Sequence, residues 1–240
     1  MTEKTFPNTF LPHFKNKEVT VSQLKVGIKL GFVNPSQIPK EIRNLLYPQI
    51  GNILKTNEEL IKSAESFAKM KHEGQFRKDG KMPYSKHLED VVDELKSMGV
   101  VDEDILCTGW LHDTIEDTDT DYDEICEKFN KKIADYVASV TKDTRLIKSK
   151  QEKAYISQLK KSSWQAKVVK LGDIIANFKD LKNSGYDFAT QKNKVKNKTP
   201  YILAIKSGIS ANKKKIPQLE TAQLNLNELL KKYGLKPVSF

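Results

Sequence analysis

The stretch GWLHDTIEDTDT, residues 109–120, gathers one histidine and four carboxylates without a lysine or arginine. The whole chain, by contrast, carries a formal net charge of +10. Because residues four apart share one face of a helix, we expect His112 to lie under Glu116 and Asp113 under Asp117. The end of a helix already carries partial negative charge. A solvated acidic helix end is one interpretation, and a divalent cation held by imidazole and carboxylate groups is the other.

Two residues elsewhere in the sequence extend this group into a candidate metal site. His87 begins a predicted helix, although a lone histidine there is often a surface or capping residue. Asp173 lies within VVKLGDIIANF, and an aspartate among apolar helix residues needs a partner when it is buried. A mixed nitrogen and oxygen set suits Mn²⁺, Fe²⁺ or Zn²⁺. The candidate ligands are His87, His112, Asp113 and Asp173.

Other polar residues near these positions suit catalysis and substrate binding. A metal in such a site lowers the pKa of bound water, and Glu116 and Asp117 beside it suit general acid/base catalysis. The segment KHEGQFRKDGKMPYSKH, residues 71–87, places Arg77 and Lys78 in a glycine-containing turn. Side chains of these types bind phosphates or stack on a base. A solvated basic loop is the alternative interpretation.

Composition indicates a globular protein with an anionic partner. The 240 residues are 38% hydrophobic, which allows a sizeable core. We find no apolar run of membrane-spanning length and no secretory signal. Cys107 and Cys126 fit buried thiols in a reducing cytosol, so we expect a cytoplasmic location. The 41 basic against 31 acidic residues indicate an anionic partner, and a lysine-rich surface is the alternative interpretation. No zinc-finger or aromatic strand motif supports nucleic acid, and a small polyphosphorylated ligand explains the charge equally well.

Helical periodicity dominates the chain after an N-terminal extension. Residues 1–56 contain several prolines and mixed periodicity, and we assign them as an extension of unknown role. Residues 57–240 form the second predicted domain, with apolar residues at helical spacing. The predicted helices include His87–Met98, Glu103–Ile115, Tyr122–Val140, Lys148–Leu159, one capped by Ser163, and two within 200–232. The result is an all-α bundle of roughly eight to ten helices.

Four separated motifs together resemble one family. They are HEGQFRKDGKMPYSKH at 72–87, LHDTIEDT at 111–118, VTKD at 140–143 and KLGDIIANFKDL at 170–181. Their order and spacing are similar to those of the HD-domain hydrolases of the RelA/SpoT type, and the chain resembles the single-domain small alarmone hydrolases, including the metazoan one. The resemblance implies a helical bundle of the HD-domain phosphohydrolase type. It also implies a guanosine-3′,5′-bis(diphosphate) 3′-pyrophosphohydrolase, which converts the stringent-response alarmones ppGpp and pppGpp to GDP or GTP and pyrophosphate.

The same resemblance implies roles for individual residues. The four candidate ligands would hold one divalent cation, usually Mn²⁺, whereas His72 would not be a ligand. The residues that position and activate water would be Glu116 and Asp117. The residues that contact the nucleotide would be Arg77, Lys78 and Asn177. Two backbone positions depart from the family pattern: Gly172 is often alanine, and Asn130 replaces a usual glycine.

Three alternatives stay open at this point. The same site could act on ppApp or on the 2′-phosphate of NADPH. The fold could instead bind an alarmone without turnover, as a sensor or toxin-neutralising module. Nucleic-acid binding driven by net charge is the third alternative, and a strongly salt-dependent affinity would reveal it. The sequence does not indicate an oligomeric state. Because the chain ends soon after the last motif, we expect no synthetase domain.

Overall fold

The computed structural model describes residues 57–240. The predicted extension 1–56 lies outside these residues, so its role and its boundary stay predictions. Within the described part, helices account for all regular structure apart from one isolated antiparallel bridge between Phe76 and Pro83. The α-helices are α1 (Asn57–Lys71), α2 (Ser85–Ser97), α3 (Glu103–Leu111), α4 (Thr114–Asp117), α5 (Tyr122–Lys128), α6 (Lys131–Val140), α7 (Lys148–Lys161), α8 (Trp164–Asp180), α9 (Phe188–Ala211) and α10 (Leu219–Lys232). The prediction of an all-α bundle is confirmed.

Helix α8 forms the centre of the bundle. It begins where the Ser163 hydroxyl accepts a hydrogen bond from the Ala166 N–H at 3.3 Å, the predicted cap. Its residues are apolar around most of the circumference, and such a helix is stable only when surrounded. Helices α2, α3, α6 and α9 pack against it. This arrangement carries Asp173, in the middle of α8, into the protein interior.

Close packing of α3 on α2 depends on Gly109. A Cβ atom at this position would lie 2.7 Å from Leu95 Cδ1 and 3.0 Å from Val92 Cγ2. Gly172 on α8 faces the same helix with more room, because a Cβ there would meet its nearest atom, Val91 O, at 3.4 Å. The first glycine is therefore required by contact between helices, and the second is not.

Helix α3 is shorter than predicted. We expected one helix over Glu103–Ile115, but α3 ends at Leu111 and a separate single turn follows. Asp113 leaves the helical track with φ −102° and ψ −3°. The freed carbonyls find new donors: the Thr114 hydroxyl donates to Leu111 O at 2.7 Å, and His112 Nδ1 donates to Gly109 O at 2.8 Å. The prediction of one continuous helix over Glu103–Ile115 is therefore wrong.

The predicted helix Tyr122–Val140 is also wrong, because the chain divides it into α5 and α6. The Asn130 Oδ1 atom accepts a hydrogen bond from the Ile133 N–H at 2.9 Å and so starts a new helix. The Asn130 Nδ2 atom donates to Asp104 Oδ1 at 2.9 Å, which ties this junction to α3. With φ −169°, the residue is extended and needs no glycine-like conformation. Periodicity continued through the junction and hid the cap.

The C-terminal helices fill more of the chain than the predicted range 200–232. Helix α9 begins at Phe188, where Asp187 Oδ1 accepts from the Thr190 N–H at 2.7 Å, and it contains Pro200 in its interior. The predicted range 200–232 begins at this proline and so leaves out the first turns of the helix. The extra turns mean that the lysines of 192–198 lie on a helix. None of the described helices combines the length and apolar character needed to cross a bilayer.

We predict opposite outcomes for alanine at the two interhelical glycines. Gly109→Ala should lower the free energy of unfolding, because overpacking against Leu95 costs about 1–3 kcal/mol. Gly172→Ala should leave it unchanged or raise it by up to about 1 kcal/mol through helix propensity. Urea unfolding of the two variants beside wild type measures both. Equal stability of the two variants would show that the contact at Gly109 relaxes freely.

Candidate metal centre and active site

The structure brings the four candidate ligands into one cluster. His87 comes from α2, His112 and Asp113 follow the end of α3, and Asp173 comes from α8. The Nε2 atom of His87 lies 3.3 Å from Asp173 Oδ1 and 3.6 Å from Asp113 Oδ2. The Nε2 atom of His112 lies 3.0 Å from Asp113 Oδ2 and 3.8 Å from Asp173 Oδ1. Two imidazoles and two carboxylates therefore point at a common centre.

The tautomer of His112 is the one that a metal ligand requires. Its Nδ1 atom can only donate to the Gly109 carbonyl, which leaves the lone pair on Nε2. That Nε2 atom is buried and makes no aligned hydrogen bond with any residue of 57–240. A buried acceptor pointing at two carboxylates is unfavourable unless a cation lies between them. His87, His112 and Asp173 offer ligand atoms within 4.8 Å of one another, and this set with the orphaned nitrogen fits a divalent metal ion.

Strong electrostatic coupling holds the cluster together. Lys170 Nζ lies 2.7 Å from Asp173 Oδ2, and both residues are buried. Burial opposes the charge on Asp173, but Lys170 and the two histidines outweigh it and keep the pKa of this carboxyl well below its usual range. Burial likewise opposes a charge on His112, yet Asp113 and Asp173 raise its pKa to about 9. Without a metal, a proton takes the place of the cation.

Tyr84 links a candidate ligand to a candidate catalytic residue. Its hydroxyl donates to Asp113 Oδ2 at 2.6 Å and lies 3.2 Å from Asp117 Oδ2. Burial, and then the charge of Asp113, raise the pKa of Tyr84, so the hydroxyl keeps its proton. The Tyr84 ring stacks on His72 at 4.8 Å. His72 therefore lies behind this tyrosine, and its Nδ1 atom contacts Gln75 Oε1 at 2.8 Å.

The side chains of Glu116 and Asp117, both in the single turn α4, contact different residues: Asp117 contacts Tyr84, and Glu116 contacts the chain after α6. Glu116 Oε2 accepts a hydrogen bond from the Lys142 backbone N–H at 2.9 Å, and burial raises its pKa. Burial and the charge of Asp113 also raise the pKa of Asp117. Both carboxyls are thus better proton acceptors than free carboxylates.

A cavity of about 800 Å³ adjoins the cluster, and all three predicted substrate residues line it. Asn177 donates to Asp173 Oδ1 and accepts from Arg77 Nη2 at 3.3 Å, which connects the cavity to the metal centre. Arg77 also pairs with Asp180 Oδ2 at 2.7 Å. Burial and then the charge of Lys194 lower the pKa of Lys78. The cavity is therefore rich in positive charge.

Sequence reasoning missed several residues that the structure places beside the site. They are Tyr84, Lys142, Lys170 and Tyr201. The three-residue spacing from Lys170 to Asp173 could have indicated the buried ion pair. The others had no local signal, because their contacts join positions far apart in the sequence.

Comparison with known proteins places these features in one family. Residues 64–209 match the family model described as HD domain. The guanosine-3′,5′-bis(diphosphate) 3′-pyrophosphohydrolase MESH1 of Xenopus tropicalis is 38% identical over 125 residues, which cover 51% of this chain and 70% of that protein. A protein of the same enzyme name from Aquifex aeolicus is 37% identical over 158 residues, covering 64% of this chain and 21% of that one. The solved structure of a metazoan SpoT ortholog that hydrolyses ppGpp gives a TM-score of 0.59 at 28% identity, covering 74% of this chain and 97% of the other.

We predict that a divalent transition metal stabilises the protein through His112 and not through His72. At about 100 times its dissociation constant, the ion should add about 2.7 kcal/mol, or roughly 5–10 °C in melting temperature. His112→Ala should lose this increase. His72→Ala, which removes a buried histidine outside the cluster, should keep it. Thermal melts with Mn²⁺ and with chelator measure the difference, and an equal loss in both variants would contradict the assignment.

We also predict that metal binding releases a proton. Below the ordinary histidine pKa of 6.5 the charge on His112 stabilises the metal-free fold, and this contribution is lost as the pH rises through about 9. At pH 7.5 the ring is protonated, and a metal requires it neutral, so about one proton should leave on binding. Titration calorimetry in two buffers of different ionisation enthalpy counts it. A binding enthalpy independent of buffer would show that His112 is already neutral.

Proposed function

The chain belongs to the HD-domain family, and from this premise we propose that it is a metal-dependent guanosine-3′,5′-bis(diphosphate) 3′-pyrophosphohydrolase. The observation that carries the proposal is the convergence of two histidines and two aspartates beside a cavity rich in positive charge. The relatives with this enzyme name support the substrate class. A small nucleotide with several phosphates fits both the charge and the size of the cavity.

The metal ligands in this proposal are His87, His112, Asp113 and Asp173, and the ion we propose is Mn²⁺. When bound, such an ion lowers the pKa of a water molecule and neutralises charge that develops on the phosphate. Lys170 holds Asp173 in place through Oδ2, and Asn177 does so through Oδ1, the oxygen that faces the two histidines. The carbonyl of Gly109 does the same for His112.

Proton transfer falls to Glu116 and Asp117. The water oxygen attacks the phosphorus next to the ribose 3′ oxygen, and the bond between that phosphorus and the ribose oxygen breaks. The proton from water passes to a carboxylate, and the ribose oxygen leaves as a hydroxyl after taking up a proton. Raised pKa values suit both carboxyls to this exchange near neutral pH. Tyr84 orients Asp117 relative to the cluster.

The residues that line the cavity would bind the nucleotide. Arg77 is held by Asp180 with its guanidinium plane fixed, which suits stacking on a base. Lys78 forms no ion pair with another described residue, which leaves its charge for a phosphate. Asn177 lines the cavity and contacts the proposed ligand Asp173, and it would contact the ribose or base. The alternatives ppApp and NADPH would occupy the same cavity, so a panel of substrates separates them. The cytoplasmic location and the absence of a nucleic-acid partner stay predictions.

Release of pyrophosphate from ppGpp tests the proposal. Wild-type protein should turn over with Mn²⁺ and stop in chelator. Glu116→Gln and Asp117→Asn should lower kcat by about 10²–10⁴-fold, because each removes a proton acceptor, and both should keep the metal-induced rise in melting temperature. Glu127→Gln, at an exposed carboxylate of α5, is the matched control and should behave as wild type. Metal binding without turnover would refute the alarmone assignment.

A further inference from the structure

Three lysine ammonium groups converge on one aromatic ring beside the active site. The Nζ atoms of Lys142, Lys170 and Lys198 lie 5.2, 5.9 and 5.1 Å from the centroid of the Tyr201 ring. Tyr155 meets Tyr201 edge to face at 5.2 Å and contacts two of the same lysines. The electron-rich ring faces attract cations but neutralise none of their charge. We call these three lysines with Tyr201 the lysine cluster.

The charges of the lysine cluster are not balanced. Lys142 pairs with Glu152 at 2.8 Å, and Lys170 pairs with Asp173 at 2.7 Å. The Tyr201 hydroxyl donates to the same Glu152, so this carboxylate is fully engaged. Lys198 is half-buried and has no ion pair with a carboxylate in the described part of the chain. A desolvated ammonium without a partner is unfavourable, and burial together with Lys170 lowers its pKa to about 8.

The lysine cluster is joined to the catalytic residues on two sides. The backbone N–H of Lys142 holds Glu116, and the ammonium of Lys170 holds the candidate ligand Asp173. Lys142 and Lys198 line the same cavity as Asn177, which contacts Asp173 as well. A phosphate group bound at the metal centre could therefore extend a second phosphate towards Lys198. A phosphate at that position would supply the missing negative charge through charge-assisted hydrogen bonds.

We propose that Lys198, supported by Lys142, binds the distal phosphate of the diphosphate that is released, and so selects a diphosphate over a monophosphate at the reacting position. This inference rests on the proposed function and gives it a specificity determinant. It separates ppGpp, with a diphosphate at the reacting carbon, from NADPH, with a single phosphate. The lysine contributes binding only, and the proton transfers stay with Glu116 and Asp117.

Kinetics with two matched nucleotides tests the selection. One is guanosine 5′-diphosphate 3′-diphosphate, and the other carries a 3′-monophosphate instead. Lys198→Met keeps the apolar stem against Tyr201 and removes the charge. It should lower kcat/KM for the diphosphate about 10- to 100-fold and change the monophosphate reaction by less than about threefold. Lys206→Met, at an exposed lysine of the same helix outside the cavity, should change neither. Equal losses on both substrates would overturn the proposal.

Two further measurements test the proposal without relying on turnover. Lys198→Met should not lower the melting temperature, because it removes an uncompensated charge; a large loss would show a structural role instead. Titration with inorganic pyrophosphate should show binding to wild type that weakens in Lys198→Met, whereas orthophosphate binding should change little. Pyrophosphate binding through Lys198 without ppGpp hydrolysis would refute the proposed function and support the subsite. Hydrolysis with unchanged pyrophosphate affinity in the variant would refute the subsite alone.

Discussion

The buried carboxylate of Asp173 is the constraint on which the rest of the structure depends. A charge in the middle of an apolar helix is tolerated only when other groups compensate it, and here the compensation comes from several elements at once. Lys170 and Asn177 supply it from the same helix, and His87 supplies it from α2. Packing of α8 against α2 therefore places the histidine, and the histidine in turn stabilises the charge that α8 carries. The contact between His87 and Asp173 therefore belongs both to the packing of α2 on α8 and to the candidate metal site.

Most of the fold follows from local patterns, and the errors lie at helix ends. Apolar spacing locates the helices, and the motif around Asp173 marks the buried carboxylate correctly. The break after Leu111 escaped prediction because no glycine or proline marks it, while the new hydrogen bonds of His112 and Thr114 depend on final side-chain positions. The same holds for Asn130, whose capping role is decided partly by Asp104 on another helix. Apolar periodicity shows which face of a helix is buried, but it does not show where the helix begins or ends.

The candidate site, like the fold, could be predicted from the sequence only in part. The four ligand positions could be proposed from residue type, and the structure brings them within contact distance. The lysine cluster could not be assembled from the sequence, because it joins α9 to α8 and the segment after α6. Its members look like ordinary surface lysines in a chain with 41 basic residues. Net charge alone does not show which lysines come together in the fold. In the structure, the aromatic ring of Tyr201 lies beside all three.

Pro200 removes one backbone hydrogen bond from α9 where this helix lines the cavity. A proline cannot donate to the carbonyl four residues earlier, so the Lys196 carbonyl, in the same wall, lacks its helical partner. The missing bond lies within one turn of Lys198 and Tyr201. This 24-residue helix therefore lacks one backbone hydrogen bond at the turn that lines the cavity, and a proline inside a helix is a common cause of bending. A change in the bend of α9 at this turn would therefore change the width of the cavity.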